Sequence, residues 1–153
     1  MIDISIGIAS GMACVGNIGS RDRFDYSVIG ETVNIAARVE SASRDIGFDI
    51  VMLHSPERPT PNARLSAGTY LLKGISDVVQ IDILVGDHSI AESAQFHAVK
   101  QAHSGLLAGA QKGMADRDQL AKAKNLADAL DPSLDVFYRR LEHHLDQGRK
   151  TIQ

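Results

Sequence analysis

The sequence predicts an α+β fold, with a region of strands and turns around one helix followed by a helical region. Three observations carry this. Ile2, Ile4, Ile6 and Ile8 alternate with small or polar residues, the period of a strand with one buried face. From Glu31 to about Arg44 there is no Gly or Pro, and Val33, Ala36, Ala37 and Glu40 recur at helical spacing. Three of the four prolines and most glycines precede residue 85, whereas the remainder is rich in Ala, Leu, Gln and Lys.

Taken in order, Ser10-Gly11 breaks the first strand and suits a tight turn, and Met12 to Val15 resumes the pattern, so a hairpin is expected there. Gly16 to Arg23 is a polar, glycine-bearing loop, and Phe24 to Ile29 is a third strand closed by Gly30. The helix from Glu31 packs its small residues inward and ends at Gly47. Phe48 to Leu53 is a buried strand, and Pro56, Pro59 and Pro61 mark a loop. Thr69 to Lys73 and Val78 to Leu84 form a hairpin through Gly74-Ile75-Ser76-Asp77. Beyond the junction Gly86-Asp87-His88-Ser89, helices are expected near 90–111, near 118–130, and from Asp131-Pro132 to Gly148. Leu134, Phe137, Tyr138, Leu141 and Leu145 give the last helix one apolar packing stripe.

Composition narrows the function. The 16 Lys+Arg against 19 Asp+Glu leave a net charge of −3, which argues against general binding to nucleic acid or anionic membrane. No run approaches the roughly 18 apolar residues of a membrane helix. Met1-Ile2-Asp3 places an acid where a secretory signal carries positive charge. Cys14 is the single cysteine, so no intrachain disulfide forms and a reducing, cytoplasmic setting is expected. The spacing Gly11-x-x-x-x-Gly16 opens like a phosphate loop, but Asn17-Ile18 stand where Lys and Ser/Thr are required. His143-His144 point about 100° apart on a helix and do not share a metal as an i, i+4 pair does. His54 is isolated in sequence, and Cys14 reads as a small core residue.

The segment from Asp25 to Arg38 is different. Asn34 and Arg38 are four apart, so they share one helix face one turn apart, while Val33, Ala36 and Ala37 occupy another. A permanently charged fork of donors beside a neutral amide suits oxygens that gather negative charge in phosphoryl chemistry. Taken alone, an Asn-xxx-Arg pair is also common on solvated helices.

The wider context resembles the class III nucleotidyl cyclases, the adenylate and guanylate cyclase family. Gly7-Ile8-Ala9-Ser10-Gly11 is similar to the family's Gly-Ile-x-x-Gly turn, and Val15 to Ser20 to its next strand and loop. Asp25-Tyr26-Ser27-Val28-Ile29-Gly30, then Val33-Asn34-Ile35-Ala36-Ala37-Arg38, follows its signature almost position by position. Leu72-Lys73-Gly74 with Val79-Gln80-Ile81 resembles its closing Lys-Gly hairpin. The resemblance implies a ferredoxin-like cyclase core over residues 1–86, its C-terminal half only, followed by a helical tail over 87–153. It implies that Asn34 orients the ribose and that Arg38 stabilises charge on the phosphates as the 3′-hydroxyl attacks the α-phosphorus. Lys73 then faces the terminal phosphates, and Ser27 occupies the base-reading position.

The family's two Mg²⁺ or Mn²⁺ ions sit on two aspartates, in a Phe-x-Asp and a Gly-Asp hairpin, which would lie before residue 1. Asp3 and Asp25 stand in neither context. Without that half, losing even ~500 Å² of apolar contact forfeits on the order of 12 kcal/mol, so the chain is expected to be a truncated piece of a longer protein, rather than one that pairs with another polypeptide or is marginal alone; lacking the metal-binding half, it is expected to be inactive by itself. The resemblance therefore implies a nucleotide cyclase, chiefly of ATP with GTP left open, working as a homodimer or heterodimer of cyclase domains in intracellular signalling. The alternative is a catalytically silent cyclase-like module for dimerisation or regulation. The coding sequence upstream of Met1 separates them: an in-frame Phe-x-Asp and Gly-Asp pair is expected, and a true start codon at Met1 contradicts it.

Overall fold

A computed structural model describes residues 4–20, 23–113, 116–146 and 151–152. In chain order the elements are β1 (Ile6–Ile8), β2 (Cys14–Ser20), β3 (Arg23–Ile29), α1 (Glu31–Ile46), β4 (Ile50–Leu53), β5 (Ala63–Leu71) and β6 (Val78–Gly86). Helices α2 (His88–Ala91), α3 (Ala94–Gln111), α4 (Arg117–Leu130) and α5 (Leu134–Asp146) follow, then β7 (Thr151–Ile152). The fold is mixed α+β with a helical tail. Five strands form one sheet in the order β1-β4-β6-β5-β7, and β2 and β3 form a separate two-stranded sheet.

That arrangement corrects the expected first hairpin. β1 does not pair with β2; it lies parallel to β4, with Ile6 opposite Ile50 and Ile8 opposite Met52, and Ile6 N donates to Asp49 O at 2.8 Å. A parallel pair needs a long crossover, and α1 supplies it. β2 pairs instead with β3, from Cys14 opposite Ile29 to Ser20 opposite Arg23, so Gly16 to Ser20 is strand rather than loop. Standing outside the main sheet, β2 leaves Cys14 exposed, which overturns its reading as a core residue. Ile2 and Gly148 lie outside the described residues.

α1 lies close on β1 because Gly7 has no side chain: a Cβ there would sit 2.2 Å from Ala36 O and 2.4 Å from Glu40 N. The Ser5 hydroxyl donates to the Glu40 carboxylate beside this contact. The buried face of α1 is Val39, Ala42, Ser43 and Ile46, further along the helix than expected, and Val33 and Ala37 are exposed. At the other end Gly47 takes the left-handed conformation (φ 78°) and its N–H donates to Ser43 O at 2.7 Å, the expected glycine stop.

Alternation on the sheet decides the core. Val51, Ile81, Ile83, Leu65, Ala63 and Ala67 are buried and join α1, Phe96, Val99 and Leu106 of α3, and the stripe of α5 in one hydrophobic cluster. On β5 the buried set steps from Ala67 to Tyr70, because the register against β6 shifts between Ser66 and Gly68. His103 of α3 reaches this bulge. Its Nε2 lies 2.7 Å from Ser66 O, which only accepts, so Nε2 carries the proton and Nδ1 accepts from the Tyr138 hydroxyl of α5 at 3.2 Å. A neutral imidazole thus ties two tail helices to the sheet.

Asp82, only 4% exposed, is satisfied by His54, whose Nδ1 lies 2.7 Å from Oδ2, with Arg64 Nη1 at 3.5 Å. His54 is isolated in sequence but not in space, since Leu53 pairs with Ile81 and Met52 with Asp82. The expected helix near 90–111 is split in two: Asp87 Oδ1 caps α2 at the N–H groups of Ser89 and Ile90, and Ser93 caps α3 at Phe96 N.

Gly7→Ala should cost about 2–3 kcal/mol in urea unfolding, since a backbone oxygen cannot yield as a side chain does. Gly16→Ala, where a Cβ would meet nothing within 4 Å, should cost little. Equal effects would contradict the packing account. Burial holds the pKa of His103 below its ordinary 6.5, against the smaller upward pulls of Ser66 O and Asp82. The unfolded chain then takes up that proton first, so His103's stabilisation is full above pH 6.5 and is lost as pH falls below it. Thermal melting should drop between pH 7 and pH 5, and His103→Gln should flatten that slope.

Candidate functional site

The polar face of α1 looks onto a cavity of about 570 Å³ between the start of the helix and the turn joining β5 to β6. Asn34 and Arg38 both line it, as their four-residue spacing requires. The start of α1 is fixed by Thr32, whose hydroxyl donates to Met12 O at 2.9 Å, and by Gly30 O, which accepts from Val33 N and Asn34 N. Gly11 makes room for that anchor, because a Cβ there would lie 2.3 Å from the Thr32 hydroxyl.

Arg38 crosses to the opposite wall. Its Nη1 donates to Gly74 O at 2.7 Å, while Ile75 N donates to Leu72 O at 3.0 Å and closes the turn. Gly74 adopts φ +75°, open to glycine at little cost. One N–H of the guanidinium is engaged by this carbonyl, which leaves others for a ligand in the cavity.

The remaining sequence-derived candidates are arranged differently. Lys73 is exposed beside Gly74 and does not line the cavity. Ser27, opposite Gly16 in the β2–β3 hairpin, is half-buried and also outside the lining, although Ile29 two residues on contributes to it. By strand alternation Ser27 shares the face of Ile29, about 7 Å further along the hairpin.

Two carboxylates that sequence reasoning passed over, Glu31 and Asp77, also line the cavity. The signal was present: Glu31 is three residues before Asn34 on α1, and Asp77 belongs to the β5–β6 turn. Only the fold brings them together. Among the described residues no group of three or more His, Cys, Asp or Glu side chains is placed to hold a metal. What the arrangement offers is a guanidinium and an amide for binding and orienting an oxygen-rich ligand, with two carboxylates in the same lining. No helix among the described residues is long and apolar enough to cross a membrane.

Comparison with known proteins places this region. Residues 1–52 match the family described as the adenylate and guanylate cyclase catalytic domain. Adenylate cyclase 1 of Rhizobium meliloti (strain 1021) is 40% identical over 45 residues, covering 29% of this chain and 7% of that protein. An adenylate cyclase of Anabaena cylindrica is 37% identical over 57 residues, covering 37% and 11%. An uncharacterized protein of Mycobacterium tuberculosis (strain ATCC 25618 / H37Rv) is 59% identical over 34 residues, covering 22% and 6%. The chain thus spans a small fraction of the length of these relatives. The solved structure of a bacterial light-regulated adenylyl cyclase aligns with 53% of this chain and 24% of its own at 21% identity and a TM-score of 0.43. Residues 1–52 of this chain are thus similar to the adenylate and guanylate cyclase catalytic domain.

Proposed function

We propose that this chain supplies the charge-stabilising side of a nucleotide cyclase site, with ATP as substrate and cyclic AMP and pyrophosphate as products. The observation that carries the reading is the convergence of Asn34 and Arg38 on one cavity, with the guanidinium braced at 2.7 Å on Gly74 O. In that reading Asn34 orients the ribose, so that its 3′-hydroxyl faces the α-phosphorus. Arg38 donates to phosphate oxygens as the new P–O bond forms and the bond to pyrophosphate breaks. Its charge is worth most on the oxygens whose negative charge grows in that step. Lys73, beside the cavity, meets the terminal phosphates, and Ser27 contacts the base, where a hydroxyl alone leaves adenine and guanine close rivals.

The other wall comes from a second cyclase domain, a further copy or a related chain. The support is apolar surface this chain does not cover. Tyr26 is 76% exposed, and Val15, Val28 and Ile29 beside it in the β2–β3 hairpin are also exposed. A two-stranded hairpin of this kind is marginal in water without a covering partner. β1 stands at the end of the sheet, with one edge unpaired among the described residues, and Ile4 before it is 66% exposed. The partner brings the divalent ions and their aspartates, so that this chain's part is binding and orienting. The site falls within residues 1–86, and in the region that follows, α3 and α5 brace the sheet through His103 and Tyr138.

One observation favours the alternative of a catalytically silent module. The cavity sets a single guanidinium against two carboxylates, Glu31 and Asp77, which repels a polyphosphate unless cations accompany it. Turnover separates the two. In a dimer reconstituted with a domain that bears the metal aspartates, Arg38→Ala should lower cyclic AMP formation by about 10²–10³, or ~3–4 kcal/mol, with KM for ATP little changed. Unchanged turnover would contradict the catalytic reading and leave the silent module. Assays with GTP in parallel decide the base.

A further inference from the structure

We infer that Gly74 is a positioning residue for Arg38, acting through its carbonyl oxygen and through its lack of a side chain. The inference rests on the reading of Arg38 as the group that meets the nucleotide's phosphates. An arginine side chain on a helix surface samples many rotamers, and fixing one costs conformational entropy. Here the fork is held before any ligand arrives, because Nη1 donates to Gly74 O at 2.7 Å. The acceptor is a main-chain atom in a turn closed by the Ile75 N to Leu72 O bond, so it has little freedom of its own.

The second half of the device is the empty space above the Gly74 Cα. A Cβ there would lie 3.1 Å from Arg38 Nη2, 3.4 Å from Cζ and 3.5 Å from Nη1, against the whole guanidinium plane. A side chain at this position presses on the fork, which must give by a few tenths of an ångström and so lengthens or tilts its bond to the carbonyl. Rate is sensitive to the placement of a group aimed at developing charge. The left-handed backbone of Gly74 adds a cost of another kind, and the chain contains a residue that isolates it. Gly113 has φ +72°, almost the φ +75° of Gly74, but a Cβ there would meet nothing within 4 Å. Gly113→Ala therefore carries the backbone penalty without touching Arg38.

The experiment compares Gly74→Ala, Gly74→Asn and Gly113→Ala in the full chain with arginine side chains labelled with ¹⁵N. Asparagine tolerates the left-handed region better than alanine, so it keeps the displacing Cβ should the alanine variant fail to fold. The wild-type chain and Gly113→Ala should show an Arg38 Nη–H signal protected from exchange with water, and both Gly74 variants should lose it. In the reconstituted dimer the Gly74 variants should lower kcat by tenfold or more with KM within about twofold, and Gly113→Ala should leave both within about twofold. An Arg38 signal as protected in the Gly74 variants as in the wild type overturns the inference. So does an equal loss of kcat in Gly113→Ala. The variant Arg38→Ala keeps the two levels apart. If it retains full turnover, the functional reading fails and the inference falls with it, whatever the spectra show. If it is crippled while both Gly74 variants keep wild-type kcat, the inference alone fails.

Discussion

The close approach of α1 to β1 at Gly7 sets the direction of every side chain on that helix. With Ala36 O and Glu40 N lying where a Gly7 Cβ would stand, the helix sits main chain against main chain on the sheet edge and resists rolling or rising there. Val39, Ala42 and Ile46 then point into the shared core, and Asn34 and Arg38 are left facing the β5–β6 turn. One absent methyl thereby couples the hydrophobic ledger of the fold to the polar geometry of the cavity. The Thr32 to Met12 bond and the Gly47 stop fix the two ends of the same helix, so rotation is resisted along its whole length.

The cavity sits at the junction of two regions with different support. The main sheet is braced by α3 and α5: buried His103 bonds Ser66 O at the β5 bulge and is held in turn by Tyr138. The β2–β3 hairpin and Ile6 of the edge strand β1 expose apolar side chains to water. The rigid side carries Gly74 and with it the acceptor for Arg38; the uncovered side is where another surface would complete the enclosure. A site with one stable wall and one unfinished wall suits chemistry that proceeds only after association. The two carboxylates in the cavity lining, Glu31 and Asp77, oppose a bare polyphosphate unless cations accompany it.

Much of this was legible in the sequence, and the failures have identifiable causes. The i, i+4 spacing placed Asn34 and Arg38 on one face correctly, because helical periodicity is a local property. The stripe from Leu134 to Leu145 told the buried face of α5 for the same reason. The partner of β1 could not be read this way: Ser10-Gly11 looks like a hairpin turn, and only the long-range pairing of Ile6 with Ile50 decides otherwise. Cys14 followed from that error, since an alternating strand gives no sign of whether its apolar face is covered. His54 and Asp82 are far apart in sequence and meet through strand register alone. Glu31 and Asp77 were visible as residues but not as neighbours. The Gly74 carbonyl is a main-chain atom, which no search for side-chain motifs can register.

The central proposal is that one turn of α1 aims an amide at a nucleotide's ribose and a guanidinium at its phosphates. Its most direct test is a titration of the chain, paired with a metal-bearing cyclase domain, with a non-reactive ATP analogue and Mg²⁺ while the ¹⁵N side-chain signals of Asn34 and Arg38 are followed. Both should shift together and saturate at the same analogue concentration. Saturable binding that leaves both signals where they began would place the nucleotide elsewhere and contradict the account.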